Sequence, residues 1–290
     1  MKTRRVFIFC FFLILYCSSM FAGTGMGRYA FRSLDINNGL SQNTVAAIIQ
    51  DRLGFMWFGT KDGLNRYDGV SFQTFMKESG TLGNNFITSL YEDCLGQIWI
   101  GTDVGVYIYS PSGEKVERFV IQSNLNTTIE QTVHTIKGDR KGRVWIVSER
   151  QGIFCYDTNR GTLEHLQTDA SGKKRLRNAG QIVFDQDDVC WLDIHDGNLY
   201  SSRDGLHTLK PVFSPGIKAP FKGKRINKLL PGPYNCLYVG TDDGLMEVNL
   251  TSGALSSLLP GTAASGESLF VREMVFYSDD VLWIGTESGI

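Results

Sequence analysis

Four histidines, His134, His165, His195 and His207, are the side chains best suited to move a proton near neutral pH. Their spacing sets none of them in a regular pattern with a nucleophile or a carboxylate. The His195-Asp196 dipeptide comes nearest, but it falls in a turn, where it reads as a hydrated loop. Carboxylates are plentiful, yet a glycosidase needs two at a fixed separation in space, which sequence spacing does not identify. There is no P-loop, no zinc-ligand spacing and no Ser nucleophile elbow. The sequence thus assigns no catalytic residue, no metal and no cofactor. Cys94, Cys155, Cys190 and Cys236 match no metal motif, and three of them lie in or beside expected strands. An exported protein could pair them, but free and mostly buried thiols are the simpler expectation.

The cations are better organised. "GKKRLR" (Gly172–Arg177) supplies Lys173, Lys174, Arg175 and Arg177, and "KAPFKGKR" (Lys218–Arg225) supplies Lys222, Lys224 and Arg225. Grouped ammonium and guanidinium groups suit a carboxylate or sulfate. With Arg150 and His195 they form the candidate ligand-binding set, for an acidic sugar such as a uronate or a sulfated unit. The plainer alternative is two solvated loops. The formal net charge of −1 gives no case for nucleic acid. Whether the two basic runs meet depends on the elements that carry them.

Those elements are written as repeats. The five tryptophans, Trp57, Trp99, Trp145, Trp191 and Trp283, are separated by 42, 46, 46 and 92 residues, and Tyr238 stands near the middle of the last gap. Around these anchors the rest aligns. Nine residues earlier stand Ile48, Leu90, Ile136, Ile182, Leu229 and Met274, and twelve earlier Val45, Ile87, Val133, Ala179, Ile226 and Val271. Three before the anchor stand Gly54, Gly96, Gly142, Asp188, Asn235 and Asp280, the residue types that tolerate positive φ in a tight turn. Six before stand Asp51, Asp93, Asp139 and Asp185, placed to accept from the turn's own amides. Gly63, Gly105, Gly197, Gly244 and Gly289 follow the anchor by six residues, and Gly152 by seven.

Each copy reads strand, turn, strand, turn, strand, with "VSFQTFM" a fourth strand in the first copy. β-branched and aromatic enrichment favours strands, and no stretch sustains a helical period. A repeat of this length with four antiparallel strands is a propeller blade. The expected fold is an all-β propeller of about six repeats, at 43–84, 85–130, 131–176, 177–223, 224–268 and a partial 269–290, after a lead-in at 23–42. The anchors are expected to wedge between blades, not to stack on sugar. Channel-rim candidates are Asn43, Asn85, Gln131, Arg177, Lys224 and Leu269. The exposed turns offer Lys61, Asp62, Asp103, Glu149, Asp196, Asp242, Asp243 and Glu287.

"DRLGFMWFGTKDGLNRYDG" and "DCLGQIWIGTDVGVYIY" resemble the two-component regulator propeller repeat, and "NNGLSQNTVAAIIQD" resembles its usual lead-in. The likeness runs over residues 29–290. It is weaker in copy four, where "VCWLDIHDGNLY" lacks the Gly-Thr after the anchor strand. The resemblance implies the periplasmic sensor region of a hybrid two-component system, responsive to an oligosaccharide. It further implies a homodimer, and a membrane helix, kinase, receiver and DNA-binding domain beyond this sequence. The chain is expected to be part of a longer one, with "YAFRSLD" an outer strand of a closing blade. A secreted polysaccharide lyase or glycosidase and a protein-binding scaffold are the alternatives.

The amino terminus is a separate object. Lys2, Arg4 and Arg5 precede the apolar run Val6–Cys17, which as a helix spans about 18 Å, short of the ~30 Å bilayer core. Small residues follow it, so residues 1–22 read as an export signal, with an uncleaved anchor the rival. Met20 is large for the −3 position, and Tyr16 before Cys17 argues against a lipoprotein signal.

Overall fold

The computed structural model describes residues 33–120, 128–213, 216–217, 219–260, 270–278 and 281–286. The leader, most of "YAFRSLD", Leu269, Asp280, Glu287 and Gly289 lie outside them. Two units divide the chain, Met1–Leu34 and Asp35–Ile290, and the second carries the fold. Among the described residues, twenty-two strands form six antiparallel sheets. Blade 1 comprises β1 (Val45–Gln50), β2 (Met56–Thr60), β3 (Gly63–Tyr67) and β4 (Phe72–Phe75); blade 2, β5 (Ile87–Glu92), β6 (Ile98–Thr102), β7 (Gly105–Ser110) and β8 (Lys115–Arg118). Blade 3 holds β9 (Val133–Gly138), β10 (Arg143–Ser148), β11 (Gly152–Asp157) and β12 (Thr162–Leu166); blade 4, β13 (Ile182–Phe184), β14 (Cys190–Asp193), β15 (Leu199–Ser202) and β16 (Lys210–Pro211). Blade 5 holds β17 (Ile226–Gly232), β18 (Cys236–Thr241), β19 (Gly244–Asn249) and β20 (Leu255–Pro260); blade 6 shows β21 (Val271–Ser278) and β22 (Val281–Thr286). Among the described residues the helical segments are two short 3-10 turns, Ile36–Asn38 and Leu176–Asn178, and no helix is long and apolar enough to cross a membrane.

Strands within a blade pair in chain order, and β1, β5, β9, β13, β17 and β21 pack each on the next. The core is therefore a series of layers between blades. One cluster joins Trp57, Leu64 and Phe75 to Leu90, Ile98, Ile100, Tyr107 and Tyr109; others join blades 2 and 3, 3 and 4, 4 and 5, and 5 and 6. Each sheet needs its neighbour because its own two faces cannot both be covered from within. The anchors sit as expected: Trp57, Trp99 and Trp145 are at most 1% exposed. Trp57 meets Tyr109, Trp99 meets Tyr156, Trp145 meets Phe184 and Tyr238 meets Phe276, in every case on the following blade.

The β1–β2 turn and its equivalents are latched by the aspartate six residues before the anchor. Asp93 Oδ1 accepts from Leu95 N and Gln97 N, and Asp93 Oδ2 accepts from Trp99 Nε1 at 2.8 Å. Asp51, Asp139 and Asp185 do the same for Trp57, Trp145 and Trp191. The turn residue three before the anchor lies at positive φ in all five blades where it is described, with Asp188 at 60° and Asn235 at 56° in place of glycine. Blade 5 drops both halves of the latch. Tyr238 replaces the indole and Gly232 replaces the aspartate, and a Cβ on Gly232 would lie 2.4 Å from the Tyr238 ring.

One apolar repeat position behaves differently in blade 1. Leu90, Ile136, Ile182, Leu229 and Met274 are at most 5% exposed, whereas Ile48 is 55% exposed. Its face is the one that each other blade presses onto the Trp face before it, and no described residue covers it. A second departure is Lys137, on β9 where the other blades place Ile49, Tyr91, Val183, Leu230 and Val275. Burial pulls its ammonium down to about 8; Lys228 pushes the same way and Glu273 opposes. The charged form is thus disfavoured in the fold. The cost stands in full below about 8 and fades as pH climbs toward the ordinary lysine value. Lys137→Met is expected to stabilise the protein by about 1–3 kcal/mol at neutral pH. Urea unfolding should show that gain vanishing near pH 11.

Candidate functional site

Blade 4 is where the repeat rules are broken most. In blades 1, 2, 5 and 6 the anchor strand ends in Gly-Thr. The threonine latches the next turn: Thr60 Oγ1 donates to Gly63 O and accepts from Asp62 N, and Thr102 and Thr241 repeat the pattern. Blade 4 has Asp193-Ile194 instead. Asp193 Oδ1 takes over the latch by accepting from His195 N at 2.8 Å, and His195 turns the chain at φ 56°. Gly180, the cross-strand neighbour, leaves the room. A Cβ there would lie 2.6 Å from His195 Cε1 and 2.8 Å from Asp193 Oδ2.

The loop before blade 5 folds over this turn and is stitched to it. Phe221 N donates to Gly197 O at 3.0 Å, and Ala219 N donates to Asn198 Oδ1 at 3.1 Å. Phe221 is 1% exposed and anchors the loop in the blade 4–5 core. Between turn and loop lies a cavity of about 240 Å³, lined by Asp193, His195, Asp196, Gly197, Phe221, Lys222, Gly223, Lys224 and Ile226.

Charge around the cavity is sorted into pairs. Asp196 accepts from Tyr200 Oη at 2.5 Å and Lys174 Nζ at 3.3 Å. Those bonds, with Asn198 N–H, outweigh burial and hold its carboxyl below the usual range. Lys224 pairs with Asp243 at 2.8 Å. Asp193 is 2% exposed. Its Oδ2 lies 3.0 Å from His195 Nδ1, close enough to pair with the protonated imidazole. Asp193 raises the His195 pKa against the opposing effect of burial. His134, on blade 3, moves the other way. Burial lowers its pKa, His195 and Arg225 add to that, and Glu149 opposes. An NMR titration should therefore find His195 protonating above 6.5 and His134 below it. For His195 the pairing stabilises the fold below the unfolded pKa, and that gain is lost as pH rises through the folded value.

The basic runs are brought together only in part. Lys222 and Lys224 line the cavity with His195, and Lys174 stands behind it on Asp196. Arg225 donates its backbone N–H to Asp242, and its charge reaches both histidines. Lys173 points to solvent while its N–H serves Asp169. Arg175 precedes the 3-10 turn, Arg177 hydrogen-bonds Gln167, and Arg150 is exposed beside Glu149; none of the three lines the cavity. Sequence reasoning missed Asp193, Tyr200, Phe221 and Gly180. The signal for Asp193 was present, since it stands where blades 1, 2, 5 and 6 keep glycine and blade 3 has Val147. Among the described residues the four cysteines are free: Cys155, Cys190 and Cys236 are buried and Cys94 is exposed, with burial pushing the Cys155 thiol up to about 12.

Comparison with known proteins places this geometry. Residues 39–62 and 81–104 match the family model of the two component regulator propeller. Histidine kinase P4 of Formosa agariphila is 44% identical over 48 residues, 17% of this chain and 4% of that protein. The extracellular domains of two B. thetaiotaomicron proteins described as hybrid two component systems superpose with a TM-score of 0.71 each. Identities are 22% and 21%, over 88% and 89% of this chain. The chain spans only 34% and 36% of those domains. Virginiamycin B lyase of Staphylococcus aureus shares the fold at TM-score 0.66 and 12% identity, over 87% of this chain and 80% of that one. The chain is thus an all-β propeller in which two segments, residues 39–62 and 81–104, match the two component regulator propeller model.

Proposed function

We propose that this chain is the ligand-sensing, extracytoplasmic propeller region of a hybrid two-component sensor, reached by way of the export signal at residues 1–22. The observation that carries the reading is the pair of matched repeats inside a fold shared with extracellular domains of such systems. The ligand is an oligosaccharide from polysaccharide breakdown, acidic in character, met at the mouth between blades 4 and 5. Ligand binding favours one arrangement of propellers in a homodimer and so biases a membrane-crossing element. Kinase, receiver and DNA-binding functions belong to other parts of the full-length protein, and this region performs no chemistry of its own. Calorimetric titration with matched neutral and acidic oligosaccharides tests the reading. Tighter binding of the acidic set, weakened by salt, is expected, with the polysaccharide left uncut. Equal affinities indifferent to salt would remove the acidic ligand, and chain cleavage would replace the sensor with an enzyme.

A further inference from the structure

The residue ten before each anchor is polar in blades 2 to 6, as Ser89, Thr135, Gln181, Lys228 and Glu273. Each lies on an inner strand or just before one, and these side chains reach toward the next blade. Ser89 Oγ accepts from Ile136 N at 3.0 Å, Thr135 Oγ1 donates to Gln181 Oε1 at 3.2 Å, and Lys228 Nζ donates to Glu273 Oε2 at 2.7 Å. Lys137 stands two residues beyond Thr135 on β9, and so on the same face. Its ammonium feels the charges of Lys228 on blade 5 and Glu273 on blade 6. Blade 4 packs between blades 3 and 5, so that reach runs through the space that the inner strands surround. Protein crowds the ammonium closely enough to depress its pKa, yet Lys137 is only partly buried and its nitrogen is not sealed from solvent. A narrow channel has both properties, whereas a closed core has only the first. The charges in it do not balance. Lys228 reaches both oxygens of Glu273, at 2.5 and 2.7 Å, and Met274 N donates to Oε1 at 3.0 Å. That carboxylate is taken, and among the described residues Lys137 has no hydrogen-bond or ion-pair partner. Two ammonium groups share one carboxylate, and a charge short of water is costly without a counter-ion.

We infer that the central channel binds a small anionic group, a sulfate or a carboxylate, against the Lys137 ammonium, with Lys228 beside it. The anion supplies the second negative charge that the two lysines lack. An ammonium carries three donors, so Lys228 keeps both bonds to Glu273 and still has one N–H to offer. A neutral sugar leaves the charge count as it is, and a cation makes it worse. A free inorganic anion and the acid group of a sugar share this chemistry, and the probes below tell them apart. The site is separate from the mouth between blades 4 and 5 and does not rest on the sensing role proposed above.

The test is NMR of lysine side chains in the full chain at low salt, with inorganic sulfate, glucuronate and glucose as probes. Sulfate is expected to move the Lys137 signal saturably and to raise its pKa from about 8 by at least about one unit, because the anion favours the charged form. Affinity should therefore hold below about pH 8 and fall by up to about tenfold per pH unit above it. Glucose should do neither. Two variants change the charge count in opposite directions. Lys137→Met is expected to lose about tenfold or more in sulfate affinity by calorimetry. Glu273→Gln removes the competing carboxylate while keeping an oxygen for Met274 N, and is expected to bind sulfate several-fold more tightly. Urea unfolding confirms that both variants fold. A shift by sulfate alone supports a channel that takes free inorganic anions, and a shift by glucuronate as well supports one that admits the acid end of a sugar. No saturable shift of Lys137 by either anion, unchanged sulfate affinity in Lys137→Met, or weaker binding by Glu273→Gln each overturns the inference.

Discussion

Replacing Trp99 by alanine is expected to cost about 3–5 kcal/mol of unfolding free energy, the range for emptying a large aromatic site in a packed core. Trp99 is 0% exposed and lies 4.8 Å from the Phe119 ring and 5.5 Å from that of Tyr156 on the next blade. It therefore holds two sheets together as well as filling one. Trp99→Phe separates the two contributions. It keeps most of the ring volume but leaves Asp93 Oδ2 without its indole donor, a loss of about 1–3 kcal/mol for a buried acceptor. Denaturant unfolding of Trp99→Phe, Asp93→Ala and the double variant should show strong non-additivity, because either change breaks the same bond. A cost below about 1 kcal/mol for Trp99→Ala would mean that the blades are not wedged by their anchors.

Gly105→Ala is expected to be nearly as damaging, at about 3 kcal/mol. The residue sits at φ 95°, and its Cβ would lie 2.5 Å from the backbone oxygen of Ile129. A backbone oxygen cannot swing aside as the far end of a flexible side chain can. Gly54→Ala is the control. Its φ is 93° but nothing lies within 4 Å of its Cβ, so only the backbone term remains, about 1 kcal/mol. Thermal or chemical unfolding of the two variants side by side isolates the collision. Equal losses would show that the second-to-third strand turn yields more readily than its packing implies.

The propeller was legible because each Trp recurs at one position of a unit too small to bury itself. Spacing alone therefore implied sheets stacked on sheets. The aspartate six residues earlier was legible as a turn ligand, since its amide partners are sequence neighbours. Its bond to the indole was less so, because it forms only when the hairpin folds the chain back on itself. In blade 5 Gly232 and Tyr238 replace aspartate and tryptophan together, whereas Tyr277 stands at the aspartate position before Trp283. The site divides along the same line. Charged residues on loops announce themselves by type, which is why His195, Lys222 and Lys224, which line the cavity, stood among the candidates. Their distribution over two connections did not say which cations would face inward, and Arg150, Arg175 and Arg177 turn elsewhere. Asp193 was visible as a missing glycine, but only the Gly180 vacancy and the stand-off of the Phe221 loop make that absence a cavity.

The aspartate latch also has a temporal consequence. Asp51 and Trp57 are six residues apart and can join as soon as their hairpin leaves the ribosome, whereas Tyr109, which covers the same indole, is made fifty-two residues later. Short-range closure precedes long-range contact on grounds of chain entropy. Each newborn blade thus arrives with its turn already set and its broad apolar side bare, waiting for the next to be synthesised. Assembly would proceed as an ordered succession from the amino-terminal end, in which a fault in one unit strands every unit after it.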